Sequence, residues 1–238
     1  MTFQEKINNK SILQVILASA VEALPIILGY LPIGFAFGVL AHKAGVSAFN
    51  ALMMSLLVFA GSAQLIVVGL LTTGIAPVSI IITTFVVNLR HLLMSAGLAP
   101  HLEDWRKREL VFFAYELTDE TFALHATHLA RVEVSKTKTL LINIISHLAW
   151  ITGTLLGVFS GTLITDIEPL ALDFVLPSMF IGLLVMQIKN AIHIIVALVG
   201  GLLSVYFLMM GLNQWHVIFA TVLSASFGLM VERWMKKP

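Results

Sequence analysis

The chain of 238 residues contains no cysteine, so disulfides and thiolate metal sites are excluded and the redox compartment leaves no mark on the sequence. Charge is scarce too. Lys, Arg, Asp and Glu make up 11% of the residues, against roughly 25% in soluble domains, too few to cover a water-facing surface. With a net charge of +1, nothing favours a nucleic-acid partner. No Gly-x-x-x-x-Gly-Lys run exists to cradle a nucleotide phosphate. No polar block is long enough to build a soluble core. The N-terminal MTFQEKINNKSILQ is polar and lacks a small-residue cleavage site after a short apolar core, so no cleaved signal peptide is expected.

What is present is grease: 58% of the residues are hydrophobic and the mean hydropathy is +0.96. The expected fold is an all-α polytopic integral membrane protein, residues 1–238 forming one transmembrane domain. Apolar stretches at 15–41, 48–71, 76–98, 109–129, 139–164, 171–188, 191–210 and 215–231 give seven or eight membrane segments, since about 20 apolar residues cross a bilayer.

The stretch 76–98 carries a costly interruption: Asn88, Arg90 and His91. A guanidinium near the bilayer centre costs at least ~2.5–3.5 kcal/mol. Thr84, Asn88, His91 and Ser95 share one helical face, whereas Arg90 points about 200° around from Asn88, so neither side can face lipid. Arg90 either snorkels to the interface or meets a substrate, an ion or a carboxylate.

The first stretch is punctuated by Pro25 and Pro32 with Gly29, Gly34 and Gly38, which predicts a kinked, interrupted or re-entrant helix. Free backbone groups at Pro32 and Gly34 would bind substrate at a broken helix; the plainer alternative is a GxxxG contact of Gly34 and Gly38. In the second stretch, FAGSAQ (59–64) places small residues beside the buried amide of Gln64, as helix glue or a ligand contact. Ser62 has no base to make it a nucleophile, and no catalytic set can be assembled, so the chain is not read as an enzyme.

Residues 109–131 mix aromatics with Glu116, Asp119 and Glu120, and with a polar stripe of Thr118, Thr121, His125 and His128. This reads as a partly embedded or broken helix with its acids turned inward. They are candidates for a proton relay or a cation contact, and one of them could neutralise Arg90. The spacing of His125 and His128 is too generic to assign a metal. Asn143 and His147 share a face, where a satisfied core histidine is the simpler reading than a relay. Gly153, Gly157 and Gly161 form a groove for a neighbouring helix, and Ala220, Ser224 and Gly228 form another small-residue stripe. A faint LPxxF echo (31–35 and 176–180) suggests an internal repeat.

Basic bias places the C-terminus and 131–138 in the cytoplasm, and the acidic 166–168 outside. The basic cluster Arg106–Arg108 beside Trp105 conflicts with this. It falls outside if 109–129 crosses. If 109–129 does not cross, the N-terminus moves out unless 15–41 is re-entrant.

The runs LPIGFAFGVLA, FAGSAQ, VNLRHLLMSAGLAPHL, ELTDETFAL and LDFVLPSMFIGLL resemble the AzlC family over roughly 21–230, with NLRH and LTDE the most specific. The resemblance implies a large subunit that exports valine, leucine, isoleucine and, as a further candidate, methionine across the bacterial inner membrane, together with a small AzlD-type membrane subunit and no cofactor. With it, the residues suggest that Arg90 clamps the substrate carboxylate. Asn88, His91, Gln64, Thr121, Pro32 and Gly34 would line the site, and Asp119 or Glu120 would hold the ammonium group or the coupling proton. A channel-like or scaffold membrane subunit is the alternative.

Overall fold

The computed structural model describes residues 11–129, 135–164, 171, 174–188, 190–212 and 216–235. Among them are ten α-helices and no strand. Each of the eight apolar stretches is helical, and the chain divides into two compact units, 1–177 and 178–238.

Helix α1 (Ile12–Lys43) opens on a capping box of Ser11 and Gln14 and runs through both Pro25 and Pro32. The expected interruption is absent. At about 1.5 Å per residue its 32 residues exceed the ~30 Å of a bilayer core. A mid-helix proline costs ~3 kcal/mol; packing against α7 (Lys136–Ser160), the most extensive helix contact in the unit, offsets it. A Cβ on Gly34 would lie 2.8 Å from the Trp150 carbonyl oxygen, and one on Gly153 would lie 2.6 Å from that of Leu31. Gly38 abuts Thr154, Gly157 abuts Phe35, and Gly161 abuts His42. Both the glycine groove and the GxxxG reading therefore hold.

These contacts pair residue 34 with 153, 38 with 157 and 42 with 161, a constant offset, so α1 and α7 run parallel. The chain between them must cross an odd number of times. The elements in between are α2 (Ala48–Leu57), α3 (Gly61–Leu71), α4 (Pro77–Leu98, extended by a 3-10 turn at Ala99–His101), α5 (Lys107–Tyr115) and α6 (Asp119–Leu129).

Contacts along α7 fix their directions. α2 begins beside Val158, Phe159 and Thr162, and by Ser55 has reached Thr154 and His147. The chain then breaks at Phe59, whose φ is +42°, and Ala60. α3 forms an antiparallel hairpin with α4, Ser62 meeting Arg90 across the 72–76 turn. α4 descends toward the start of α7: Leu98 and Leu102 cluster with Leu140, and the Asp104 carbonyl accepts from Lys136 Nζ at 2.7 Å. α3 therefore climbs back to where α2 began. α5 rises from Glu109, 3.3 Å from Lys136, to Glu116 at His147. After a break at 116–118, α6 descends past Asn143, through His125, to Glu22 and Lys138, through His128.

Two helical hairpins of half-span length thus enter from opposite ends, and their tips meet at mid-height, where Tyr115 donates to the Leu56 carbonyl. Only α4 crosses between α1 and α7, which satisfies the odd count. The conflict over Arg106–Arg108 dissolves because the 48–71 stretch, expected to cross, turns back. Arg106, Lys107, Arg108, Lys136 and Lys138 all gather at the end where α1 and α7 start, while Lys43 is the lone Lys or Arg at the opposite end of this unit among the described residues.

An internal repeat is present, but not the one suggested by the LPxxF echo. α1 with α2–α3, and α4 with α5–α6, are each a long helix followed by a hairpin re-entering at the end that helix reached, and the two run in opposite directions. Pro32 lies deep within α1, whereas Pro177 lies in the first turn of α8 (Val175–Gln187).

In the second unit, α9 (Ala191–Met209) and α10 (His216–Met235) pack through the expected stripe: a Cβ on Gly200 would lie 3.1 Å from Ser224 Oγ, and Gly228 faces Val196. Among the described residues, four helices are long and apolar enough to cross a membrane: α1, α4 with its 3-10 turn, α7 and α9. The expectations for 166–168 and for 131–134 of the basic segment lie outside the described residues.

Candidate functional site

The site forms where the hairpin tips converge on α4. Arg90 Nη1 lies 2.8 Å from Asp119 Oδ2, and Nη2 donates to Ser62 Oγ. Ser62 is the second residue of α3 and Asp119 the first of α6. The guanidinium therefore bridges the N-termini of the two inner half-helices. Arg90 and Asp119 side chains are 23% and 16% exposed, at the height of Tyr30 and His147. The snorkelling alternative fails, because this guanidinium sits mid-height with a carboxylate rather than at a rim.

The electrostatics are lopsided. Each helix N-terminus carries roughly +0.5 charge, and its first amides lack helical partners. Ala60 provides no side-chain cap for α3. The α3 end is open, whereas Thr118 caps the α6 end, and the guanidinium lies between them with Asp119 paired to it and Glu120 alongside, so the uncapped amides of Gly61–Ala63 are the part of the cluster that suits a further anion.

Tyr30 of α1 closes the site from the other side. Its hydroxyl donates to Glu120 Oε2 at 2.7 Å and lies 2.6 Å from Thr118 Oγ1. Tyr30→Phe strips the half-buried Glu120 carboxyl of this donor. The expected cost is ~1–3 kcal/mol, read as a lower thermal unfolding midpoint in detergent; an unchanged midpoint would mean the bond contributes nothing.

Several expected site residues are placed differently. Pro32 and Gly34 offer no helix end, because α1 is continuous and Gly34 is pressed on Trp150; the helix starts at the centre are instead Gly61–Ala63, without a side-chain cap, and Asp119–Thr121, capped by Thr118. Thr121 is fully buried and caps α6: its Oγ1 accepts from Thr118 N at 2.8 Å while Thr118 Oγ1 accepts from Thr121 N at 3.3 Å. Its hydroxyl is therefore engaged within the tip, not offered to a ligand. Gln64, fully buried, donates to Ser55 Oγ at 3.1 Å and leaves Oε1 without a partner. His91 Nδ1 lies 3.2 Å from the Asn88 carbonyl, and Asn88 Oδ1 is buried without a partner. Asp119 and Glu120 both reach the centre.

Two participants were not singled out from the sequence as site residues: Tyr30 and, apart from its rejected role as a nucleophile, Ser62; Glu116, one of the three expected inward acids, meets His147 rather than Arg90. The chain has only three tyrosines, and two of them, Tyr30 and Tyr115, bond across the tips; a tyrosine inside an apolar run was the available signal. His147 is satisfied, as expected, through Glu116 and the Ser55 carbonyl. His125 bonds Asn143 Oδ1 at 2.7 Å, and no group of three metal-ligating side chains occurs among the described residues.

A family model described as AzlC protein matches residues 25–164, which hold both hairpins, α4, α7 and most of α1. Inner membrane protein YgaZ of Escherichia coli K12 is 31% identical over 192 residues, covering 77% of this chain and 78% of that protein. An uncharacterized membrane protein of Archaeoglobus fulgidus is 34% identical, covering 85% and 89%. The branched-chain amino acid transport protein AzlC of Bacillus subtilis is 28% identical, covering 82% and 76%. No solved structure matches.

Proposed function

The chain belongs to the AzlC family of membrane proteins, and on that premise we propose that it exports branched-chain amino acids in exchange for protons. It works as a transporter rather than an enzyme. Valine, leucine and isoleucine are the substrates, with methionine a further candidate, and a small AzlD-type subunit completes the system in a bacterial inner membrane.

One observation carries this reading: a guanidinium held between two facing half-helix N-termini, at mid-height, beside two carboxyls. A zwitterion satisfies both halves of such a site. Its carboxylate displaces Asp119 from Arg90 and takes the fork-shaped pair, assisted by the amides of Gly61–Ala63. Its ammonium group takes the freed Asp119 carboxylate, with Glu120 alongside. One carboxylate replaces another, so the half-buried arginine is never left unpaired. The side chain then meets apolar walls, where one methylene is worth only ~1–3 kcal/mol, which fits several aliphatic substrates rather than one.

The basic end, from which α1, α5 and α7 rise, faces the cytoplasm. The α5–α6 hairpin is then the inner gate and α2–α3 the outer one. Reconstitution in vesicles with labelled leucine, with and without the small subunit, tests the assignment. Saturable leucine efflux, faster when protons run inward, is expected. Flux linear in leucine concentration, or no flux under any pH gradient, would overturn it.

A further inference from the structure

Behind the arginine cluster lies a second, buried pair of titratable side chains. Glu116 ends α5 and His147 sits halfway along α7, their side chains 5% and 7% exposed. His147 Nε2 lies 2.9 Å from the Ser55 carbonyl oxygen. That oxygen only accepts, so Nε2 carries a hydrogen. Nδ1 lies 3.0 and 3.1 Å from the two Glu116 oxygens. In this tautomer a neutral imidazole points a lone pair from Nδ1, which cannot rest against an ionised carboxylate. The contact needs one more proton, on Nδ1 or on Glu116.

We propose that Glu116 and His147 form a one-proton binding site that locks the tips of the two re-entrant hairpins together. With the proton in place, the tip of α5–α6 is bonded through Glu116 to His147, and the tip of α2–α3 is bonded to the same ring through the Ser55 carbonyl. Phe59, at the break of α2–α3, stacks on that ring at 3.8 Å and 14°, sealing it from water. When the proton leaves for water, a lone pair and a carboxylate face each other at hydrogen-bond distance, and this tie turns into a repulsion that works against the remaining Tyr115–Leu56 bond and Arg90 bridge to part the tips. This inference deepens the transport reading by assigning its coupling proton to a site distinct from Asp119 and Glu120, and by fixing one proton per opening.

The other charged or titratable groups facing this region are few. Tyr30 comes from α1, Arg90 from α4, Tyr115 from α5 with its ring 6.1 Å from that of His147, and Asp119 and Glu120 from α6. From α2 and α3, the polar side chains Ser55, Ser62 and Gln64 do not titrate. Arg90 is engaged by Asp119, and Glu120 by Tyr30.

Hydrogen exchange of the full chain in lipid nanodiscs, followed with pH, tests the lock without requiring a known substrate. In the wild type, protection of backbone amides at 55–61 and 116–120 should fall about tenfold or more as the proton is lost, after correction for intrinsic exchange. Glu116→Gln presents a carboxamide that donates to Nδ1 at every pH, so protection should stay high and flat. Glu116→Ala should leave it low and flat; if that variant does not insert, Glu116→Gln decides alone. A flat wild-type profile, or pH dependence that persists in Glu116→Gln, overturns the lock. Silent leucine flux with the exchange pattern intact would remove the transport reading and leave the proton site standing.

Discussion

Replacing Arg90 with lysine is expected to lower leucine transport about a hundredfold while the protein still inserts. The two terminal nitrogens of Arg90 do different jobs, Nη1 on Asp119 and Nη2 on Ser62. An ammonium group keeps the charge but is a point donor without the planar fork. It can stay with Asp119 or reach toward the α3 tip, but it cannot span both. A hydrogen bond to a charged group is worth roughly 1.5–3 kcal/mol, and tenfold in rate corresponds to 1.4 kcal/mol, so losing one arm of the bridge and the two-point grip on substrate gives about two orders of magnitude. Initial rates in vesicles, normalised to the amount of inserted protein, measure this. Leucine efflux at the wild-type rate from Arg90→Lys vesicles would sink the carboxylate role.

Gly157→Val is expected to abolish the folded protein. Its first added carbon would overlap the Phe35 backbone carbonyl, which has no rotamer to yield. α1 and α7 would have to move apart along their whole contact, pulling Thr154 from Ser55 and His147 from Glu116. Overpacking typically costs 1–3 kcal/mol, and more where only backbone can give way, roughly the margin of a small protein. Gly29→Ala is the control: nothing lies within 4 Å of the added carbon, and helix propensity favours alanine by up to ~1 kcal/mol. Size-exclusion profiles and unfolding midpoints of the two variants should diverge, one lost and the other equal to or above wild type. A Gly157→Val protein that elutes and melts like wild type would mean the glycine contact does not hold the pair.

How much of this was legible depends on how strongly one residue can announce itself. A guanidinium in an apolar run is expensive enough to stand out, and Arg90, Asp119 and Glu120, drawn from two separate stretches, did converge. The eight greasy stretches were equally plain. The break points were not. Prolines at 25 and 32 advertise a fracture that packing on α7 suppresses, while the real fracture at Phe59 and Ala60 contains no proline at all. Its cause is tertiary: the chain turns so that Ser55 can meet His147 and Ser62 can meet Arg90, and neither contact is visible in local pattern. Direction was hidden for the same reason. Whether 48–71 crosses or turns back depends on which way α7 lies beside α1, a relation set by glycines 119 residues apart (34 with 153, 38 with 157).

That separation has a bearing on biogenesis. When α1 leaves the ribosome, the helix that will cover its glycine face has not been synthesised, and more than a hundred residues must follow before it is. Until then Gly34 and Gly38 face lipid or an insertion chaperone, and both half-length hairpins must be threaded without the scaffold that later grips their tips. Such distant pairing closes slowly. The first helix therefore docks only once α7 has been made, and a nascent chain arrested before residue 136 would hold every arginine-site residue while lacking the support that makes them a site.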